Sequence, residues 1–421
     1  MLESIIRKDL MDHCIKNNLI SRRQFGFLKG RSTTLQLLTF IDRVANLLSE
    51  GGSVDTVYLD YSKAFDTVPH HRLLLKLESY GITGNILEWI KDFLCGRKQC
   101  VRVNGECSSD REVISGVPQG SVLGPLLFVI YINDIVDVVK NSDMFLFADD
   151  SKVAKHIKSQ LDQRELHDDL AALERWSRDW LLSFHPDKFH VLSFGNFEDI
   201  PCWAADYRIK GKSLEHVFEE RDLGVIVDCE LTFEEHIETQ VKKANSTLGL
   251  IRRSFTFLDM HTLVTLFKVF VRPHLEYAQA VWSPSRKGLI SKIEKVQERA
   301  LDLVPEIKSL PYDQQLVESG LPSLAYRRHR GDMIETYKHF SHSDSYDTTV
   351  LSDSFQLNPR LSRQHKHQLR RRHERTPLLG RLFYQRIAGS WNDLEEDTVI
   401  APNIDEFKNR LDINLLNQNF I

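Results

Sequence analysis

Asp60, Asp149 and Asp150 each stand where an apolar, strand-like run stops: Asp60 follows VDTVYL, and the Asp149-Asp150 pair lies between MFLF and the Val153-Ala154 run. Ionised carboxylates beside apolar strands are costly to bury unless cations compensate them. Hard cations such as Mg²⁺ take oxygen ligands and leave coordination positions for substrate phosphates. Two such ions about 3.5 to 4 Å apart can lower the pKa of an attacking hydroxyl and stabilise the leaving oxygen of an in-line phosphoryl displacement. These acids therefore suggest the chemistry of polymerases and metal-dependent nucleases. Taken singly, each has a plainer reading, because an Asp-Asp dipeptide is commonly a solvated turn and an Asp at a strand end commonly caps the next helix.

The elements that must position these acids can be read from hydrophobic periodicity. Ile5, Ile6, Leu10 and Ile15 recur at helical spacing within residues 1–19, and Leu37, Leu38, Ile41, Val44 and Leu48 line a second helix after the Gly30-Arg31-Ser32 turn. Val54 to Leu59 is a buried strand that delivers Asp60 at its carboxyl end. Helices follow over Arg72 to Tyr80 and Gly84 to Leu94. Gln99 to Asn104 and Arg111 to Ile114 alternate with period two around an Asn104-Gly105 turn, which predicts a hairpin. The loop Ser115 to Ser121 opens an apolar helix reaching about Val139. Two short strands flank the Asp149-Asp150 turn, a long amphipathic helix spans Gln160 to Leu182, and Phe189 to Phe194 is another strand. Residues 205–228 read as strands, and from Thr232 almost to Phe340 the pattern is helical. A mixed α+β region thus gives way to a helical one. Ser341 to Asn358, rich in Ser, Asp and Thr, reads as a linker, and the basic segment Arg360 to Arg386, with Arg370-Arg371-Arg372, follows it.

Composition sets the outer bounds. The chain has 421 residues, 42% hydrophobic and 27% charged, enough for a sizeable core and two or three domains. Its formal net charge of -4 lacks the cationic excess of a protein whose whole surface meets polyphosphate, so any phosphate-binding surface is local. Cys14, Cys95, Cys100, Cys107, Cys202 and Cys229 form no CxxC pair and have no His at metal-ligand spacing, which points to free thiols in a reducing compartment. The charged start MLESIIRKDLMDHC has no apolar h-region, and no window approaches ~18 uncharged apolar residues, so neither a secretion nor a spanning signal is expected.

The order of four segments identifies a resemblance. YLDYSKAFDTV at 58–68, SGVPQGSVLGPLLF at 115–128, FADD at 147–150 and DKFHVLSFG at 187–195 stand in the order and spacing of the palm motifs of reverse transcriptases. Within that group the chain resembles the polymerases of non-LTR, LINE-type or jockey-like retrotransposons. QFGFLKGRSTT at 24–34 resembles their fingers motif, RDLGVIVD at 221–228 the segment after the palm, and LFKVFVRPHLEYAQAVWSP at 266–284 their thumb region. RLFYQRIAGSWNDL at 381–394 and FKNRLD at 407–412 are also typical of such element proteins. The resemblance covers essentially the whole chain. It implies a right-hand polymerase of the α+β class, with partial fingers over 1–52, a palm with an antiparallel sheet over 53–228, a helical thumb or connection over 229–340, a linker at 341–358 and a basic tail over 359–421.

Roles carry across by position. The resemblance implies that Asp60 and Asp149 are the metal ligands for two Mg²⁺ ions, with Mn²⁺ as a substitute. Asp150 completes the acidic turn, as a weaker ligand, a group orienting the primer end, or an acid behind the ligands. Asp66 is read as structural. Phe65 falls where the family places a bulky residue under the sugar of the incoming nucleotide, which would select dNTP over NTP; the alternative is a core aromatic. Gln119, beside Gly120 in the Pro118-Gln119-Gly120 loop, matches a nucleotide-contacting position, where glycine lets backbone approach substrate. Lys188 matches a basic residue near the triphosphate, against the alternative of a solvated lysine. Phe189 departs from the Cys common there. Arg31 is expected on a template or nucleotide phosphate, or else as a surface arginine. Lys242, Lys243, Arg252 and Arg253 are candidates for a track along the template-primer duplex, and the basic tail for RNA binding or nuclear import.

Two family features have no counterpart here: a hairpin with an Arg-Pro-Ile signature precedes the MLESIIRKDL-like helix in the family, as does an endonuclease. The sequence therefore looks like an amino-terminally truncated frame. Two readings follow. In the first the chain is an RNA-directed DNA polymerase that adds dNTPs to a DNA primer on an RNA template. In the second it is a catalytically impaired remnant that retains only nucleic-acid binding. A metal-dependent nuclease ranks last, since it would need neither SGVPQGS nor Phe65. The expected location is intracellular, in nucleus or cytoplasm, with no membrane partner and with protein partners unknown.

Overall fold

Val54, Thr56, Val57 and Leu59 place β-branched or apolar side chains on both faces of one short segment, which suits it to the middle of a sheet. In the computed structural model of the chain this segment is β1 (Ser53–Leu59), buried along nearly its whole length. The structure describes residues 1–195, 206–341, 346–347, 350, 355–358, 365–370, 380 and 382–417. Cys202, Arg371, Arg372 and most of the expected linker lie outside the described residues. Two compact units are present: residues 1–36 with 50–218, and residues 37–49 with 219–421.

In the first unit α1 (Leu2–Lys16) and the start of α2 (Thr33–Ser49) precede β1. After β1 come α3 (His70–Ser79), α4 (Gly84–Leu94) and four two-residue strands, β2 (Lys98–Gln99), β3 (Arg102–Val103), β4 (Glu106–Cys107) and β5 (Arg111–Glu112). Then follow α5 (Gly124–Ile132), β6 (Asp143–Phe147), β7 (Asp150–Ile157), α6 (Gln160–Asp179), β8 (His190–Gly195), β9 (Arg208–Ile209), β10 (Lys212–Ser213) and β11 (Glu215–Val217). The main sheet has the order β11-β8-β1-β7-β6, antiparallel except where β11 runs parallel to β8. Helix α5 is apolar all round and accordingly buried from Leu126 to Ile132. It shares one core with β1, β6 and α6.

Two details differ from the periodicity reading, and a third lies beyond it. The apolar helix stops at Ile132 and tightens into a 3₁₀ turn over Asn133–Asp137. There the Asn133 amide donates to the Leu19 carbonyl (2.7 Å) and its oxygen accepts from Ser21 N (2.8 Å), a tie to a distant loop that periodicity cannot report. The expected hairpin does turn at Asn104-Gly105, both at positive φ (50° and 91°), but its ladder breaks into two short pairs. Between them the Ser108 hydroxyl accepts the Val101 N–H at 2.9 Å. Lys76 of α3 is only 3% exposed. Its ammonium sits 2.7 Å from Asp134 Oδ1 and over the Trp180 ring, and burial pulls its pKa down to about 8 against the pull of Asp134.

Within the second unit the strands β12 (Glu219–Asp222) and β13 (Val225–Asp228) pair antiparallel and lead into α7 (Glu234–Ser254). Helix α8 (Met260–Leu266), a π-helical turn over Phe267–Val271, α9 (Arg272–Glu276), α10 (Gln279–Trp282), α11 (Lys287–Leu301), α12 (Tyr312–Ser319) and α13 (Leu324–Phe340) follow. Last come α14 (Phe383–Asn392), α15 (Glu396–Val399) and α16 (Ile404–Asn417). The carboxyl-terminal motifs dock on α13: Arg386 donates to Asp332 (2.9 Å), Arg330 grips Asp412 through two nitrogens, and Trp391 is fully buried.

His236 of α7 is 1% exposed, and its Nδ1 accepts the Ile226 N–H at 3.1 Å, so the neutral ring carries its proton on Nε2. Burial lowers its pKa to about 4, with Lys243 and Arg221 adding to the effect. The unfolded chain therefore binds this proton first as pH falls. The contribution is complete above roughly pH 6.5 and is lost on the way down to about pH 4, an effect of about 3 kcal/mol. Urea titrations across that window should show a stability slope that flattens by about 1.4 kcal/mol per pH unit in His236→Leu. An unchanged slope would remove His236 from the acid response.

Candidate active site

Strand β1 ends at Leu59, paired with Ser151 of β7, so Asp60 emerges one residue past the ladder, level with the start of β7. There β6 and β7 join through a tight turn: Phe147 pairs with Asp150, leaving Ala148 and Asp149 as the turn itself. Ala148 is left-handed (φ 55°) and 3% exposed. Asp149 is half-buried and Asp150 exposed. Burial raises the Asp149 carboxyl, its own backbone N–H pulls it back, and the charge of Asp60 raises it further. The sheet thus holds two carboxylates close enough to repel one another.

Neighbouring groups fix the approach to these acids. Tyr61 is buried, accepts the Ser151 hydroxyl at 3.4 Å, and has its phenol pushed up by burial and by the charge of Asp149. The Asp60 carbonyl accepts from His185 N (3.0 Å) and the His185 carbonyl from Lys188 N (3.0 Å). That turn swings the Lys188 ammonium to 2.7 Å from Asp60 Oδ2, and the hydrogen bond and charge of Asp60 raise the Lys188 pKa. Phe189, where the family pattern favours Cys, is 1% exposed core.

A second cluster stands on the turn after β1. Phe65 stacks on Phe128 of α5 at 4.2 Å and meets Phe27 edge-on at 6.2 Å, while remaining only half-buried. The loop 115–121 is tied to it by backbone bonds Val117 N to Phe65 O and Gly116 N to Val68 O, both 2.8 Å. Gln119 is exposed and donates to Asp66 Oδ1 (2.7 Å), and Ser115 donates to the Asp66 carbonyl (2.9 Å). Asp66 therefore organises the loop. Gly120 has positive φ (77°), with nothing within 4 Å of where a Cβ would stand. His70, 8% exposed, donates from Nε2 to the Gly116 carbonyl (2.8 Å).

Arg31 braces the turn that precedes it. Its Nη1 donates to the carbonyls of Arg22 (2.9 Å) and Gln24, and its guanidinium covers the Phe25 ring. Lys242, Lys243, Arg252 and Arg253 are all exposed on α7.

Gln24 was not singled out by sequence reasoning. It is fully buried, and its Oε1 accepts both the Ala148 N–H (2.8 Å) and the Gly26 N–H (2.7 Å). The residues around it run along the edge of the sheet: Leu146 N donates to the Arg23 carbonyl (2.9 Å) and Phe25 N to the Leu146 carbonyl (2.7 Å). A Cβ at Gly26 would lie 2.3 Å from Ala148 N. A glutamine two residues before a glycine was the available signal, but nothing local links that pair to a turn more than a hundred residues away.

These donors suit a hard divalent cation. Among the described residues no group of three or more His, Cys, Asp and Glu side chains is arranged to hold a metal. Mg²⁺ commonly takes one or two carboxylates and completes its shell with water and substrate phosphates, which is the donor set Asp60 and Asp149 offer.

Residues 1–250 match the family described as reverse transcriptase (RNA-dependent DNA polymerase). The chain belongs to this reverse transcriptase family. It is similar to the RNA-directed DNA polymerase from mobile element jockey of Drosophila funebris, with 30% identity over 317 residues covering 72% of this chain and 34% of that one. It is also similar to the probable RNA-directed DNA polymerase from transposon X-element of Drosophila melanogaster, at 26% identity and the same coverages. These relatives are the non-LTR polymerases that the motifs led one to expect. The chain spans about a third of the length of the curated relatives it matches. Among solved structures, telomerase from Candida albicans in complex with a fragment of telomeric RNA aligns with a TM-score of 0.43 at 12% identity, covering 73% of this chain and 56% of that one.

Proposed function

We propose that this chain is an RNA-directed DNA polymerase that extends a DNA primer with dNTPs on an RNA template. The observation that carries the reading is the meeting of Asp60 and Asp149 at one end of the sheet, where burial and then the charge of Asp60 raise the Asp149 carboxyl. Such a pair favours a divalent cation between the acids and a triphosphate. Asp60, Asp149 and, at the rim, Asp150 would hold two Mg²⁺ ions, with Mn²⁺ as a substitute. When bound, these ions supply activation of the primer 3′-hydroxyl and neutralisation of the leaving pyrophosphate. The Lys188 ammonium, tethered at Asp60, would donate to a phosphate oxygen. Gln119 and the Gly120 backbone form an exposed ledge for the nucleotide, and Phe65 its floor. Arg31 serves the template side indirectly, by holding the 21–24 turn.

On this reading residues 1–52 are partial fingers, 53–228 the palm, 229–340 a thumb or connection, 341–358 a linker and 359–421 a tail. The exposed α7 cations follow the template-primer duplex. The expected site of action is inside the cell, in nucleus or cytoplasm; among the described residues no helix is long and apolar enough to cross a membrane. No feature of the acids favours a remnant that only binds nucleic acid. Primer extension with purified protein on a poly(rA)-type template, beside Asp60→Asn and Asp149→Asn, tests the reading: no incorporation by the wild type would refute it.

Phe65 carries a separate expectation. Its ring is held by Phe128 and Phe27 and so presents a rigid wall to a 2′-hydroxyl. Phe65→Val should lower discrimination against NTPs at least ~10-fold, the scale on which steric pocket contacts separate substrates. Single-nucleotide kcat/KM values for dATP and ATP measure it. A loss of stability with discrimination intact would make Phe65 a core residue only.

A further inference from the structure

We propose that Gln24 is a positioning residue for the catalytic turn, setting the direction of Asp149 through the backbone of Ala148. The inference rests on the reading of Asp60 and Asp149 as cation ligands.

Ala148 adopts a left-handed conformation that a non-glycine residue takes only when its surroundings impose it. Its N–H is buried, and leaving such a donor without a partner costs about 1–3 kcal/mol. The partner is the Gln24 side-chain oxygen at 2.8 Å. That oxygen cannot drift, because it also accepts Gly26 N at 2.7 Å and its own backbone is laddered to Leu146, two residues before Ala148. A side chain without an acceptor would leave two N–H groups unsatisfied and free the turn to relax toward ordinary φ. The peptide carrying Asp149 would then rotate and carry the carboxylate away from Asp60.

Groups that orient a metal ligand typically affect affinity 10- to 100-fold without touching the ion. Gln24→Leu keeps the volume and removes the acceptor, whereas Gln24→Glu keeps an oxygen for both N–H groups. The full chain is titrated with Mn²⁺ by calorimetry, and amide exchange at Ala148 is followed in parallel. Gln24→Leu should bind Mn²⁺ at least ~10-fold more weakly and expose the Ala148 amide to exchange, while Gln24→Glu binds like the wild type. In primer extension Gln24→Leu should lower kcat and leave the KM for dNTP nearly unchanged.

Wild-type Mn²⁺ affinity in a folded Gln24→Leu overturns the proposal. If Gln24→Leu does not fold, Gln24→Glu decides: wild-type binding supports the acceptor role and weakened binding overturns it. Failure of the wild type itself to bind Mn²⁺, with no change in Asp149→Asn, refutes the metal reading and this inference together. A bound wild type with an indifferent Gln24→Leu refutes the inference alone.

Discussion

Replacing Asp60 or Asp149 by asparagine should depress primer extension at least about a thousandfold, about 4 kcal/mol of barrier, while the fold survives. Asparagine keeps the shape of the side chain and removes the charge that draws a cation and the triphosphate behind it. The structure adds a second, opposite sign. Asp149 carries a carboxyl raised first by burial and then by Asp60, so its charge works against folding at neutral pH. Asp149→Asn should therefore be as stable as the wild type or more so, the usual signature of a site that trades stability for function. Asp150, exposed at the start of β7, should respond less. Thermal unfolding and extension rates on the same preparations separate the cases. Incorporation that survives both Asp60→Asn and Asp149→Asn would sink the assignment.

The next largest effect is expected at Gly116. Its φ is 92°, and a Cβ there would stand 2.7–2.9 Å from the oxygen, Cα and carbonyl carbon of Asp66, backbone atoms that cannot swing aside. Its N–H is bonded to Val68 and its carbonyl to His70. Gly116→Ala should cost about 3 kcal/mol, from left-handed strain of about 1 kcal/mol plus the displacement of Asp66. Because Asp66 accepts Gln119 and the same stretch carries Phe65, nucleotide KM should rise with it. Gly120→Ala is the matched control: φ is also positive, but no atom lies within 4 Å, so only the strain remains. Equal unfolding midpoints for the two variants would mean that the loop yields, contrary to the close backbone contact.

Much of this was written in the chain itself. Val54 to Leu59 had to be a buried strand ending at Asp60, because β-branched residues on alternate faces leave no face for solvent. Phe189 to Phe194 and the acidic turn were legible for the same reason, and the ordered motifs identified the family. Local pattern did less well where partners are remote. The apolar run to Val139 concealed a stop at Ile132, imposed by the Asn133 side chain bonding to residues 19–21. Nothing local marks Lys76, which is enclosed by Asp134 and Trp180.

The division follows from range. Periodicity and turn chemistry depend on neighbours within a few residues, and the sequence by itself determined most of the elements, singled out Asp60, Asp149 and Asp150, and pointed to the class of chemistry they suggest. How the surroundings of those acids are built depends on contacts across 124 residues in the case of Gln24 and Ala148, and 53 in that of Gln119 and Asp66 of the neighbouring loop. Only the tertiary structure decided that a buried glutamine near a glycine with no room for a Cβ meets the turn that carries Asp149. Hydrogen bonds between segments so distant are set by how the sheet closes, and no local propensity encodes that.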